Sequence, residues 1–161
     1  MVRSVLAGMV LSLVLAGCAM GCAATPFGTS GQDGVGANAV TVTTLAQGAD
    51  SRITEARQVV IRDQAAWAKL WQEHTPDPQV PALTNVDFAT EMVLGAFAGE
   101  RATAGYTVTI EQVSRKGDRL EARVKHVKPA AGEMTAMVLT QPYHLVKVPK
   151  DPAEVVFVDA P

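Results

Sequence analysis

The sequence predicts an α+β domain: a mainly antiparallel, sandwich-like β-sheet with one amphipathic helix near its N-terminus, preceded by a signal peptide and a flexible tether. Three observations lead there. Most of the apolar residues after about residue 42 recur with period two, the mark of strands with one wet face. Only one stretch, from Asp63 to Trp71, carries a helical period together with a capping residue. Strands and helices do not alternate as they would in a doubly wound parallel sheet. Composition agrees with a single folded unit: 161 residues, 48% hydrophobic and 19% charged, are enough for one domain of about 100–200 residues. The net charge is −2 and Lys/Arg form no block, which excludes the electrostatic footprint of a nucleic-acid binder. Two cysteines cannot make a disulfide scaffold of several bridges.

The chain divides into residues 1–17, 18–41 and 42–161. In the first segment Arg3 is the lone charge, and the apolar run from Val5 to Gly17 has 13 residues. That is the length of a secretory h-region rather than of a span of about 20 residues. The alternative is an uncleaved anchor helix, since no charge occurs from Ser4 to Gln32. The run ends in Leu15-Ala16-Gly17-Cys18, which resembles the bacterial lipobox. Small side chains there let a peptidase reach the backbone, and the thiol takes a diacylglycerol. Cys18 is therefore the expected lipidation site, with palmitate-type acyl chains holding the mature protein on a bilayer. Cys22 lacks the branched apolar residue at the start of its own triplet and reads as a bystander. Ala19 follows Cys18 where an Asp would retain a lipoprotein in the inner membrane, so the resemblance implies the periplasmic face of the outer membrane. The tether is rich in glycine (Gly28, Gly31, Gly34, Gly36) and has no apolar period. Such a segment buries too little to offset its ordering entropy, and about 17 residues of it span roughly 20–25 Å. Phe27 is its isolated aromatic residue.

In the folded unit, Arg57–Ile61 is a short β-branched strand. Asp63 caps a helix whose Trp67, Leu70, Trp71 and His74 share one face and dock on a sheet. Pro76, Pro78 and Pro81 then make an irregular connection. Met92–Ala98 is almost continuously apolar and reads as a strand covered on both faces, one of them by the helix. Tyr106, Val108 and Ile110 alternate with polar residues, as do Leu120, Ala122, Val124 and His126; Lys116-Gly117-Asp118 turns one strand into the other. Met137–Thr140 and Tyr143–Val148 are strands on either side of an edge or bend at Pro142, and Glu154–Val158 closes the unit.

Catalytic signatures are absent: no HExxH, CxxC pair, GxSxG or P-loop occurs. His74, His126 and His144 lack ligand spacing; the last two are expected on apolar strand faces, as structural groups. Asp87, Glu91 and Glu100 read as solvated acids rather than a carboxylate pair. No cofactor, metal or catalytic residue is expected, and the chain reads as a non-enzyme. Two segments stand out as partner surfaces. In Gly99–Tyr106, Gly105 suits a backbone with φ > 0 and Tyr106 presents an amphipathic ring. In Leu139–His144, a kink at Pro142 presents Tyr143. Structural roles compete at both, with a tight loop in the first and a core tyrosine in either.

The order of these pieces resembles the protease complex subunit PrcB family. The resemblance is carried by Trp67–Trp71, Val86–Val93, Gly99–Val108 and Leu139–Val146, over about residues 45–158 and most specifically 92–150. Where such proteins commonly have Pro-Thr-Gly-Gly-Tyr, this chain has Ala102-Thr103-Ala104-Gly105-Tyr106. The resemblance implies a non-enzymatic, lipid-anchored envelope module that binds or stabilises a protein partner, a protease being the class the family name offers. Arg101, Thr103, Gly105, Tyr106 and Tyr143 are the residues expected to meet that partner. The alternative is a chagasin-like protease inhibitor, since Thr103, Gly105 and Tyr106 match three residues of that family's wedge loop. A hydrolase is the third reading, without a nucleophile–base pair at recognisable spacing.

Overall fold

The computed structural model describes residues 38–75 and 86–160. The expected signal segment, Cys18, Cys22, most of the tether and the three connecting prolines lie outside the described residues.

Eight strands and one helix are present among the described residues: β1 Ala39–Val40, β2 Thr43–Gly48, β3 Ala56–Ile61, α1 Gln64–His74, β4 Glu91–Ala98, β5 Thr107–Lys116, β6 Arg119–Val127, β7 Tyr143–Pro149 and β8 Glu154–Asp159. They form two four-stranded sheets, β1-β5-β6-β8 and β2-β7-β4-β3. All pairings are antiparallel except β6 with β8, which is parallel. The expected class, mainly antiparallel β with one helix, is therefore observed as a sandwich carrying a helix on one outer face.

Strand β4 organises both layers of packing. Its even-numbered residues, Met92, Leu94, Ala96 and Ala98, enter the core between the sheets with Val108, Ile110, Val113, Leu120, Ala122, Val124, Val146 and Val148. Its odd-numbered Val93 and Phe97 point the other way, against Trp67, Leu70, Trp71, Ile61 and Leu145 beneath α1. Period two makes this division unavoidable, and it accounts for a strand with no polar face. Gly95 takes the position where a side chain would meet Val59 Cγ2 at 2.8 Å and Leu145 Cδ2 at 2.9 Å, so its lack of Cβ lets the neighbours close over the strand.

The helix begins as the sequence requires. Asp63 is extended, and its Oδ1 accepts the Ala66 N–H at 2.8 Å. Trp67, Leu70, Trp71 and His74 are its buried residues. It ends on Thr75, whose N–H donates to the Trp71 carbonyl.

Four details differ from expectation. Ala39–Val40 already pairs with Val113–Ser114 of β5, so sheet structure starts ahead of residue 42. Thr43–Gly48, which has no clear alternation, forms a strand because it pairs with β7. Met137, Val138 and Leu139 are not a strand: they are 88%, 51% and 61% exposed. His126 does not lie with Leu120, Ala122 and Val124 in the core; it sits exposed near the end of β6, its Nε2 3.6 Å from Asp159. Its cross-strand partner Val108 is buried in the core while His126 itself is not, so alternation alone does not report where the cover stops.

Candidate functional site

At one end of the sandwich two loops run side by side: residues 99–106, between β4 and β5, and 128–142, between β6 and β7. Gly99 opens the first with φ +74°, where a Cβ would lie 2.7 Å from the Ala56 backbone nitrogen. Both facts demand glycine. Arg101 and Thr140 then exchange backbone hydrogen bonds at 2.7 and 2.9 Å, and Thr140 Oγ1 donates to the Thr103 carbonyl at 3.0 Å. Further along, the Ala104 N–H donates to the Ala136 carbonyl at 3.0 Å. Gly105 has φ +90°, as its position in the sequence predicts, and packs on Pro129 and Thr135. In the second loop Glu133 folds back onto Ala130 through its carboxylate and its own N–H.

The guanidinium of Arg101 is fixed in this frame. Nη2 donates to the Ala98 carbonyl at 2.8 Å, and Cζ lies 5.5 Å from the centre of the Tyr106 ring. Nε is buried without an acceptor. Beside them opens a cleft of about 260 Å³ lined by Ala98, Arg101, Tyr106, Thr107, His126, Val127 and Lys128. The second loop carries the most exposed large apolar side chains of the domain, Met134 (99% exposed), Met137, Val138 and Leu139, with Val127 at its root. Among the described residues, this is where apolar surface remains in water.

Four of the five expected partner residues, Arg101, Thr103, Gly105 and Tyr106, belong to this loop end. Tyr143 does not. It lies half-buried on the face of β7 turned toward α1, with its ring centroid 4.2 Å from that of His74 and 6.4 Å from that of Phe97. Burial there raises its phenol pKa, helped by the nearby Asp50 carboxylate. Tyr143 is thus part of an aromatic cluster with Trp71, His74 and Phe97 that seats the helix. His126, Val127, Lys128 and the Met134–Leu139 segment are not legible as a site in the sequence. Their signal there is only the loss of alternation after Val127, with Pro129 and Gly132 marking the break.

The histidines in the interior are structural. His144 Nδ1 accepts the Ile110 N–H at 2.8 Å, and its Nε2 lies 3.0 Å from Thr44 Oγ1. A backbone donor on Nδ1 requires the lone pair there, so the ring is neutral with its proton on Nε2. It ties β7 to β5 across the sandwich beside the bulge after Ile110. His74 Nδ1 meets Ser51 Oγ at 2.9 Å. Burial lowers the pKa of both. The acids are equally committed. Asp87 accepts from Ala89 N–H and Thr90 Oγ1, Glu91 pairs with Lys147 at 2.9 Å, and Glu100 accepts from Gln141. These hydrogen bonds hold Asp87 and Glu91 below the usual carboxylate range. Among the described residues no three His, Cys, Asp or Glu side chains are arranged to hold a metal, and no helix is long and apolar enough to cross a membrane.

The loop end falls inside the part of the chain that matches a known family: residues 92–149 match the model described as PrcB C-terminal. That stretch runs from the two-faced strand β4 through both loops to the end of β7. It bears out the resemblance noted in the sequence. No curated protein and no solved structure matches the chain.

Proposed function

We propose that this chain is a non-catalytic, lipid-anchored module of the cell envelope that binds a protein partner through its paired-loop end, as an accessory subunit of a protease-type complex. The observation that carries the reading is the exposure of Met134, Met137, Val138 and Leu139 on a loop stitched to its neighbour by backbone hydrogen bonds. Contiguous exposed apolar side chains are costly to solubility and mark interaction surfaces in folded proteins. Methionines suit such a surface because their unbranched chains adapt to a partner. The family match over 92–149 supports a protease-complex partner through its name. The lipobox-like Leu15-Ala16-Gly17-Cys18 supports anchoring at Cys18, and Ala19 the periplasmic face of the outer membrane.

The inhibitor reading fits less well. A wedge loop must project freely, whereas the backbones of Arg101 and Ala104 and the Thr103 carbonyl are bonded to the second loop.

The test is a photo-crosslinking amino acid placed at Met137 or at Arg123, on the charged outer face of the other sheet, in living cells. One discrete adduct from position 137 and none from 123 is expected. Equal labelling at both, or none at either, removes the loop end as a binding surface. Mass spectrometry of the mature N-terminus tests the anchor separately: an acylated Cys18 is expected.

A further inference from the structure

We infer that the cleft beside the paired loops is a receptor for a carboxylate, and that its occupant is the C-terminal residue of a partner polypeptide with apolar residues before it. This rests on the reading of the loop end as a protein-binding surface and specifies what that surface recognises.

Charge points to an anion. Arg101 and Lys128 both line the cleft, and among the described residues neither has an acidic partner. The lining holds Arg101, His126 and Lys128 and no acid, whereas five of the cations outside it do meet acids: Arg57 with Glu73, Arg115 with Asp151, Lys116 with Glu121, Lys125 with Glu111 and Lys147 with Glu91. The acid beside the cleft-lining His126, Asp159, is 79% exposed. Arg101 is also held in place, by the Ala98 carbonyl and the Tyr106 ring. A pre-positioned guanidinium loses little further freedom on binding and offers a fork that matches a carboxylate.

Size and lining narrow the choice of anion. A cleft of about 260 Å³ lies just below the ~300–1,000 Å³ of small-molecule sites, too small for a nucleotide or an extended cofactor. Its other walls include Ala98, the Tyr106 ring and Val127. It therefore asks for an anion with an apolar group attached at short range. A chain terminus carries a carboxylate and an apolar side chain on the same carbon; an internal Asp or Glu carries the anion alone.

Continuity with the apolar loop extends the site. Gly105, next to Tyr106, packs on Pro129 and Thr135, so the cleft adjoins the segment bearing Met134 and Met137. Residues preceding a bound terminus would run toward that apolar surface.

The test uses the full-length protein in detergent, with amide NMR shifts of Tyr106 and Lys128 as the readout. The probe is N-acetyl-Ala-Leu-Leu with a free carboxylate. Its carboxamide, N-acetyl-Ala-Leu-Asp-amide and inorganic phosphate are the comparisons. Saturable shifts with the free acid are expected, with binding about tenfold or more weaker for the carboxamide, as the loss of a charge-assisted hydrogen bond implies. Arg101→Gln and, independently, Lys128→Gln each weaken the free acid to the level of the carboxamide, while Trp67 fluorescence stays native. Lys128 is exposed, so its variant remains informative should Arg101→Gln not fold. Equal binding of acid and carboxamide overturns the proposal. So does tighter binding of the internal Asp peptide, or phosphate alone reproducing the shifts, which would mark a headgroup-type anion site. If the peptide fails while the adduct at position 137 persists, the carboxylate inference falls and the binding surface stands. If the adduct fails while the peptide binds, the reverse holds for the apolar loop.

Discussion

Strand β4 and the loops beyond it are neighbours in the fold and are governed by different physics. Every side chain from Met92 to Ala98 is covered, four in the core between the sheets and two, Val93 and Phe97, on the helix side. At the end of the same sandwich, Met134 and Met137 stand almost wholly in water, on a loop tied to its neighbour by backbone hydrogen bonds. Apolar residues are abundant in both regions. What differs is whether a second surface among the described residues covers them. In β4 it does, twice over. At the loop end, among the described residues, nothing lies over them.

Damage should be graded by that contrast. The largest loss of stability is expected from Trp67→Ala. Trp67 is fully buried between α1 and β4, and truncating such a ring costs about 3–5 kcal/mol. Urea unfolding should move its midpoint accordingly without changing the slope. A loss below about 1 kcal/mol would mean the helix is not part of the cooperative unit.

Next comes Gly99→Ala, at the hinge between the two regions. A Cβ there meets backbone atoms of Ala56 and Thr54 at 2.7 and 2.9 Å, which cannot rotate away, and φ is +74°. A cost of about 1–3 kcal/mol is expected. Gly132→Ala, also at positive φ but with open space around it, should cost less, and the difference between the two isolates the clash.

The two buried histidines give a pH test of the packed region. Burial lowers the pKa of His74 and His144 in the folded state, so between the folded values and about 6.5 the unfolded chain binds more protons. Stability is then fully present above about 6.5 and falls as pH drops through that window. Protonation of His144 would also set two donors against each other, its own Nδ1–H and the Ile110 N–H. The urea midpoint at pH 5.5 should lie below that at pH 7.5, and His144→Gln should flatten the difference. Asp87 and Glu91 add a second decline, at lower pH, because hydrogen bonds hold them below their ordinary range. An unchanged midpoint between pH 7.5 and 5.5 would remove the buried, neutral assignment.

Asp63→Ala is smaller: it removes one side-chain acceptor at the helix start and should cost about 1 kcal/mol by thermal unfolding.

Legibility in the sequence follows the same division. Trp67, Leu70, Trp71 and His74 are legible because helical spacing and a capping aspartate report a buried face directly. The double cover of β4 is legible because a strand without polar residues has no face to turn toward water. Gly105 is legible from its place ahead of the strand. By contrast, Met137–Leu139 reads as a strand by composition, yet it joins no described strand and stays exposed. His126 misleads because it is exposed although its cross-strand partner Val108 is covered. Tyr143 groups with the loops by its proximity to Pro142, yet period two turns it toward α1. Sequence alternation reports which face a residue is on; it does not report how far the covering layer extends. The convergence of Arg101 with Lys128 is of that second kind, since it depends on two loops folding back on the same cleft.

The smallest effect on stability is the one that bears most on function. Met137→Ser replaces a side chain that is 88% exposed among the described residues. Surface substitutions of this kind shift stability by no more than about 0.5 kcal/mol. On the proposed binding role, the same change should nevertheless reduce adduct formation from a crosslinker at neighbouring Leu139, because it would remove contact area from the partner rather than from the fold. A variant that folds as the parent does and still loses its adduct would separate the two regions cleanly. A loss of stability approaching that of Trp67→Ala would instead show that the loop is covered by its own chain, and the proposed binding surface would fall.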